Sequence, residues 1–403
     1  MKYVVIVPDG AADYPVARLG GKTPLEAARI PNMDRAAAEG LLGVTCHVPE
    51  HMNPGSEVAM MSLMGYDPVE YFTGRGPLEA ADLGIEMGPH DWAFRCNLVT
   101  VAQEVLADFT GGHVSTEEAT VLLEALNSRL GSQAISFHVG FSYRHVMVYR
   151  GQEHFDVETL PPHDVVGRAV SDNLPRGEGS EVLSGLMRQS VPVLAEHEVN
   201  KVRIDLGKNP ANMIWLWSPG QKPHLPSFEG RFHLKGSIIS AVNLGRGLGR
   251  LAGWDVITVP GATGYTDTDY GAKGRYAIDA LTNHDLVLVH VEAPDEASHD
   301  RDVAAKVRAL EQIDKEIVGP ILAHADAEGG VRVLIVPDHV TSVEDGMHKR
   351  DHVPFAIWGE GIKARSGQTY AEPDAESSEV EIPEGHRLME EFLGIHPRRE
   401  QQQ

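Results

Sequence analysis

Three stretches of this chain bring carboxylates and imidazoles together at spacings that suit a bound cation. Asp295 and His299 stand four residues apart, which sets both on one face of a helix. Asp338 and His339 are adjacent at the end of an apolar run. The tetrapeptide Ile-Val-Pro-Asp that carries Asp338 also occurs at residues 6–9, where it ends in Asp9. His348 and His352 follow in the loop 348–354. Mixed Asp and His donors without thiolate suit Mn2+ or Zn2+, and Mg2+ less well. Three aspartates with three or four histidines exceed one open four-coordinate site. The expectation is therefore two divalent ions about 3.5–4 Å apart, the usual apparatus for displacement at phosphorus. An Asp after a strand is often only a turn former. What argues for a site is the convergence of three strand ends.

Ser56, in Pro54-Gly55-Ser56-Glu57, is the candidate nucleophile. It opens a short helix over residues 57–64, where unpaired backbone N–H groups and the helix dipole favour negative charge and phosphate oxygens. A hydroxyl held against a metal there could become an alkoxide. The plainer reading is an N-cap, the commonest use of Ser in that position.

Positioning these residues takes an α/β alternation. Residues 2–8 read as a strand apolar on both faces, ended by Pro8. Residues 23–40 carry a helical bias broken at Pro31, leading to a strand near 41–48. Strands at 256–259, 285–291 and 331–336 alternate with helices at 272–281 and 304–324. Between these parts the texture changes. Alternating strands at 94–101 and 143–149 flank a helix with a capping box, Ser115 with Glu118, and an apolar stripe of Ala119, Leu122, Leu123, Leu126 and Leu130. A further helix spans 180–197, a strand 213–217, and the Pro- and Gly-containing stretch 218–226 reads as a linker. The predicted architecture is a doubly wound, mostly parallel α/β sheet, split in sequence (1–89 and 219–403), with an inserted α+β domain at 90–218. Loops at the carboxyl ends of parallel strands build the ligand crevice in such sheets. Residues 384–393 are a candidate last helix and 398–403 a disordered end.

Composition narrows the function. The 403 residues are 42% hydrophobic and 23% charged, an ordinary globular balance that favours two domains. The formal charge of -23 disfavours nucleic acid and anionic membrane as partners. Cys46 and Cys96 are too few for a disulfide framework, and no run is long and apolar enough to span a bilayer, so a cytoplasmic protein is expected. No Gly-rich Lys-Ser/Thr phosphate loop is present.

Asp9, Ser56, Asp295, His299, Asp338, His339 and a last His before Val-Pro resemble, in order and neighbourhood, the seven metal ligands of the alkaline phosphatase superfamily. Within it the chain resembles the cofactor-independent phosphoglycerate mutases of the archaeal-type branch. The phrases at residues 65–68, 71–77, 94–97 and 259–264 (Gly-Tyr-Asp-Pro, Tyr-Phe-Thr-Gly-Arg-Gly-Pro, Phe-Arg-Cys-Asn, Val-Pro-Gly-Ala-Thr-Gly) carry the match. The resemblance implies an alkaline phosphatase-like core. It implies one metal on Asp9, Ser56, Asp338 and His339, a second on Asp295, His299 and His348, and no organic cofactor. Ser56 would be phosphorylated. His348 is preferred to His352 because the family's last ligand stands six residues before the Pro of its Val-Pro pair, here Pro354. Lys235 resembles the family's catalytic-site lysine. Glu57, Met60 and Met61 depart from the usual pattern, and residues 108–115 match a bacterial subgroup for which homoserine kinase activity has been proposed.

For an anionic substrate, the bases Arg75, Arg95, Arg144, Lys201, Arg203 and Lys208, with Asn212, are the candidate contacts. The expected reaction interconverts 3-phosphoglycerate and 2-phosphoglycerate through a phosphoserine, under an inserted domain that keeps water out. The alternatives are phosphotransfer to another hydroxyl such as homoserine, a phosphomonoesterase, and a metal-stabilised binding protein without turnover.

Overall fold

Residues 4–8 carry no polar side chain, so the strand they form must be covered on both faces. The computed structural model, which describes residues 1–151, 154–365 and 368–395, shows this: Val4, Val5, Ile6 and Val7 are wholly buried. Each such side chain contributes about 1.5–3 kcal/mol of burial free energy. The chain forms two compact units, Met1–Phe72 with Leu225–Gln403, and Thr73–His224.

The first unit is built on an eight-stranded sheet. Lys2–Pro8 lies between Leu286–Val291 and Val331–Ile335, parallel to both, and Leu286–Val291 pairs in parallel with Gly236–Ile239. Val353–Gly359 runs antiparallel to Val331–Ile335 and to Leu41–Thr45. The sheet is therefore mostly parallel, as expected, with one reversed strand. The predicted strand 256–259 shrinks to Asp255–Val256, and the predicted helix 304–324 becomes Val303–Ile313 and Gly319–Glu328 joined by a π-helical turn. The break at Pro31 is real, with helices Pro24–Ala27 and Pro31–Glu39 on its two sides. The last helix is Leu388–Leu393 after a 3-10 turn, and the end 398–403 lies outside the described residues.

Register explains why distant residues meet. Pro8 pairs with Val291 and Ile6 with Ile335, so Asp9, Glu292 and Asp338 leave the sheet at one level, all at carboxyl ends of parallel strands.

In the second unit the central strand Trp92–Ala102 pairs antiparallel with Arg144–Tyr149 and Met213–Gln221. The helix Thr116–Leu130 has the expected capping box, with Glu118 N–H donating to Ser115 Oγ and the Glu118 carboxylate accepting from Ser115 N–H. The boundary between the units falls at His224 and Leu225, inside the expected linker 218–226, but the first residues of that stretch belong to a strand. The strand continues through Pro219 and Gly220 to Gln221, and the register shift beside Ala93 accommodates a residue that cannot donate to the ladder. The unit also starts at Thr73 rather than at residue 90. The reason is the helix Arg75–Asp82, which packs on Trp92–Ala102 and Met213–Gln221 and buries Ala80 against Ala93, Val146 and Val148.

Candidate metal centre

In the first unit six acidic and imidazole side chains gather in two groups. Asp9, Asp338 and His339 form one, Asp295, His299 and His348 the other, each with ligand atoms within 4.8 Å of one another. In the second group the helix Ala293–His299 presents Asp295 and His299 on one face, with His299 Nε2 3.1 Å from Asp295 Oδ2. His348, on the short strand Met347–Lys349, sets its Nε2 3.3 Å from Asp295 Oδ1 and 3.0 Å from His299 Nε2. His352 does not join them and instead pairs with Glu381 at 3.3 Å.

The first group is almost sealed, its members no more than 3% exposed. His339 Nε2 lies 3.2 Å from Asp338 Oδ2, 3.6 Å from Asp9 Oδ1 and 3.1 Å from Ser56 Oγ. Ser56 is the first residue of the helix Ser56–Leu63, whose residues 58–63 are all buried. The structure makes Gly55 the N-cap, so the Ser56 hydroxyl is not spent on capping. Thr341 links the groups: its hydroxyl donates to Asp295 Oδ1 at 2.6 Å and lies 3.1 Å from His339 Nδ1. The His339 and His348 rings are 4.1 Å apart, centroid to centroid. Gly10 makes the cradle possible. Its φ is +59°, its N–H donates to Asp338 Oδ1, and a Cβ there would stand 2.5 Å from Asp295 Oδ1 and from Thr341 Oγ1.

The electrostatics fit cations. Asp9 Oδ1 and Asp338 Oδ2 are buried oxygens without a hydrogen-bond partner. Buried acceptors are rarely left so, because the desolvation penalty then goes uncompensated. Burial pushes the Asp9 carboxyl well above the usual carboxylate range, and the Asp338 and Asp295 carboxylates push it the same way. Asp295 is held well below that range despite burial, because His299 and His348 bond to it. The bond to Asp295 in turn raises His299 to about 9. Three carboxylates and three imidazoles, with two orphaned oxygens, make a donor set suited to divalent ions of borderline hardness.

A family profile described as 2,3-bisphosphoglycerate-independent phosphoglycerate mutase matches residues 37–200. A protein of that name from Methanothrix thermoacetophila is 46% identical over 390 residues, 96% of this chain and 98% of its own. This chain belongs to the 2,3-bisphosphoglycerate-independent phosphoglycerate mutase family. A probable mutase of the same description from Geobacter sulfurreducens is 45% identical over 98% of this chain and 100% of its own. Among solved structures, a cofactor-independent phosphoglycerate mutase from Thermoplasma acidophilum superposes with a TM-score of 0.70 at 27% identity, covering 98% of this chain and 100% of its own. A protein from Pyrococcus horikoshii superposes at 0.83 with 29% identity, covering 98% of each.

The other residues singled out in this phosphoglycerate mutase family member divide sharply. Lys235 is not at the centre. It precedes the strand Gly236–Ile239, level with Asp285, and pairs with Asp255 at 3.2 Å. That is the amino end of the parallel strands, roughly 20 Å of extended backbone from their carboxyl ends. In the second unit Arg75, Arg95 and Arg144 do come together. The Arg95 guanidinium lies 2.8 Å from Glu79 and 4.1 Å over the Trp217 ring. Burial pulls it down to about 10, against the Glu79 carboxylate and with Arg75 and Arg144. His163 feels the same three arginines, and with Phe109, Tyr143 and Trp217 it makes an aromatic wall beside them. Arg203, by contrast, is a buried brace that donates to the carbonyls of Gly111, Gly112 and Asn209. Asn212 bonds both the N–H and the carbonyl of Val101. Lys201 pairs with Glu198 on the surface, and Lys208 is exposed. These four are scaffold or surface residues.

Sequence reasoning missed His290, Glu292, Lys273 and Thr341. The signal for His290 was legible in hindsight: it is a polar residue inside Leu286–Val291, a strand buried at every position, and such a ring must find partners.

Proposed function

We propose that this chain interconverts 3-phosphoglycerate and 2-phosphoglycerate by passing the phosphoryl group through Ser56. The observation that carries the reading is the Ser56 hydroxyl, 3.1 Å from His339 Nε2, at the opening of a helix and beside the Asp9, Asp338 and His339 group. Asp9, Ser56, Asp338 and His339 would hold one divalent ion, and Asp295, His299 and His348 the other, with Mn2+ or Zn2+ favoured by the imidazole share. Bound there, the ions would supply Lewis acidity and charge neutralisation for transfer at phosphorus. The N–H groups left unpaired at the opening of the helix Ser56–Leu63 would favour phosphate oxygens beside Ser56. His339, oriented by Thr341, keeps its Nε2 toward the Ser56 oxygen.

Arg75, Arg95 and Arg144 are our candidates for the substrate's anionic groups. Arginine suits carboxylate and phosphate because its planar fork can donate two bonds at once. The acidic overall charge gives such a basic cluster meaning and offers nucleic acid no footing. No described helix is long and apolar enough to cross a membrane. Two free cysteines suit a reducing cytoplasm, where we place the reaction.

Residues 108–115 form a self-closed turn. Asp108 accepts bonds from Thr110, Gly112 and Asn209. Purified protein with Mn2+ is offered 3-phosphoglycerate in one tube and homoserine with ATP in another. The reading expects the 2-isomer without free phosphate, and loss of it in Ser56→Ala with metal content unchanged or reduced by one ion. Formation of phosphohomoserine alone would refute the mutase assignment, and release of inorganic phosphate alone would make the chain a phosphatase.

A further inference from the structure

Four charged or ionisable side chains lie in a buried file behind the centre. Lys273 is 0% exposed, Glu292 2%, His290 0% and Asp9 3%. Lys273 Nζ donates to Glu292 Oε2 at 2.8 Å, and Glu292 Oε1 lies 3.2 Å from His290 Nδ1. His290 Nε2 lies 2.9 Å from Asp9 Oδ2. Ser240 and the Ala241 N–H complete the Glu292 carboxylate at 3.1 and 2.9 Å. His290 is brought there by register, since it pairs with Val7 two residues before Asp9.

Burying charge is expensive even when it is paired, and apolar residues of similar volume would often serve stability as well. A file of this kind that ends on a ligand calls for a reason at the ligand. Asp9 has two oxygens: Oδ2 is taken by His290, and Oδ1 is buried without a hydrogen bond, 3.6 Å from His339 Nε2. We infer that His290, itself held by Glu292 and Lys273, is a positioning residue that occupies Asp9 Oδ2 and so presents Oδ1 as the single oxygen offered to the metal. Outer partners of this sort fix the orientation of a ligand, and their loss typically weakens metal binding 10–100-fold. The inference rests on the two-metal reading above. The bond of Lys273 to the His290 carbonyl also ties the helix Tyr270–Ala280 to the strand, so stability alone cannot separate a positioning role from a bracing one.

The separating measurement is site-resolved metal affinity. Metal-free, full-length protein is titrated with Mn2+ against a chromogenic chelator, for wild type, His290→Phe, His290→Gln and Glu292→Gln, with circular dichroism as a check on folding. The expected result is two ions in wild type. In His290→Phe one ion is weakened about 10–100-fold and the other is unchanged. Glu292→Gln should weaken the same ion less, and His290→Gln, whose amide can still donate to Asp9, should recover part of the affinity. Wild-type affinities for both ions in the variants would overturn the inference, and so would equal weakening of both, the mark of a loosened fold. If His290→Phe does not fold, His290→Gln and Glu292→Gln decide by the same criterion. Failure of wild type to bind two ions strikes instead at the two-metal reading.

Discussion

Replacing Lys306 with Met tests how much of the centre's rigidity rests on one buried charge. Lys306 is wholly buried on the helix Val303–Ile313, and its ammonium donates to Asp13 Oδ2 at 2.9 Å and to the Thr341 carbonyl at 2.7 Å. Thr341 is the residue whose hydroxyl links Asp295 to His339. Met keeps the length of the stem and removes the charge. Asp13 then keeps the Val343 N–H on the same oxygen, but its buried charge has lost its cation. Breaking a buried pair from one side costs about 3–5 kcal/mol, and the Thr341 carbonyl, left without its donor, adds to that within the same range. Taking about 4 kcal/mol at roughly 2–4 °C per kcal/mol, Tm falls by about 8–16 °C. Thermal melts give the Tm and urea unfolding the free energy, both followed by circular dichroism at fixed Mn2+ because bound metal shifts apparent stability. The double variant Lys306→Met with Asp13→Leu should recover most of the loss, since an apolar pair avoids the desolvation of both ions. A single-variant loss under about 1 kcal/mol, or a double variant as unstable as the sum of the two singles, refutes the reasoning.

Three shorter tests bear on other links. Glu372 bonds Thr23 and the Asp13 N–H, and burial raises its carboxyl from 4.5 to about 7. The folded state therefore binds the proton more tightly than the unfolded one, so this group's stability contribution is full below about 4.5 and is lost as pH rises to about 7. Glu372→Gln should gain on wild type across that window by roughly 1–2 kcal/mol, allowing for a partly exposed side chain, and parallel pH–stability curves would exclude the idea. Gly10→Ala forces a Cβ to within 2.5 Å of Asp295 Oδ1 at a left-handed backbone position, so metal titration should show Mn2+ binding at the Asp295 group falling at least tenfold. Unchanged binding would mean the cradle is slack. Lys235→Met should leave kcat and KM for 3-phosphoglycerate within about twofold of wild type, because the side chain sits at the amino end of the strands. A large fall in kcat would restore Lys235 to the chemistry.

The gathering of the first-unit carboxylates and imidazoles was legible because its signal is local: a carboxylate just past an apolar run, or an Asp and His one helical turn apart. The helix at Thr116–Leu130 was legible for the same reason, its cap and stripe being written in neighbouring residues. What could not be read is set by pairing. Pro219 and Gly220 look like a linker until Ala93 is known to lie opposite Gly220 and Trp92 opposite Gln221, with a register shift between Ala93 and Arg95 to absorb the proline. Arg203 and Arg95 have the same composition signal, yet one braces carbonyls and the other lies over Trp217. Lys235 is level with Asp285 only because Gly236 pairs with Leu286, a fact no spacing announces.

The strand Lys2–Pro8 is synthesised well before both its sheet neighbours, which begin roughly 280 residues or more later. At a synthesis rate of about 5–20 residues per second, this apolar ribbon waits on the order of tens of seconds with both edges open, while Thr73–His224 is complete well before. Asp9 consequently has no companions for a cation until nearly the whole polypeptide exists. Nascent chains stalled before residue 286 should be sticky, dependent on chaperones and blind to manganese.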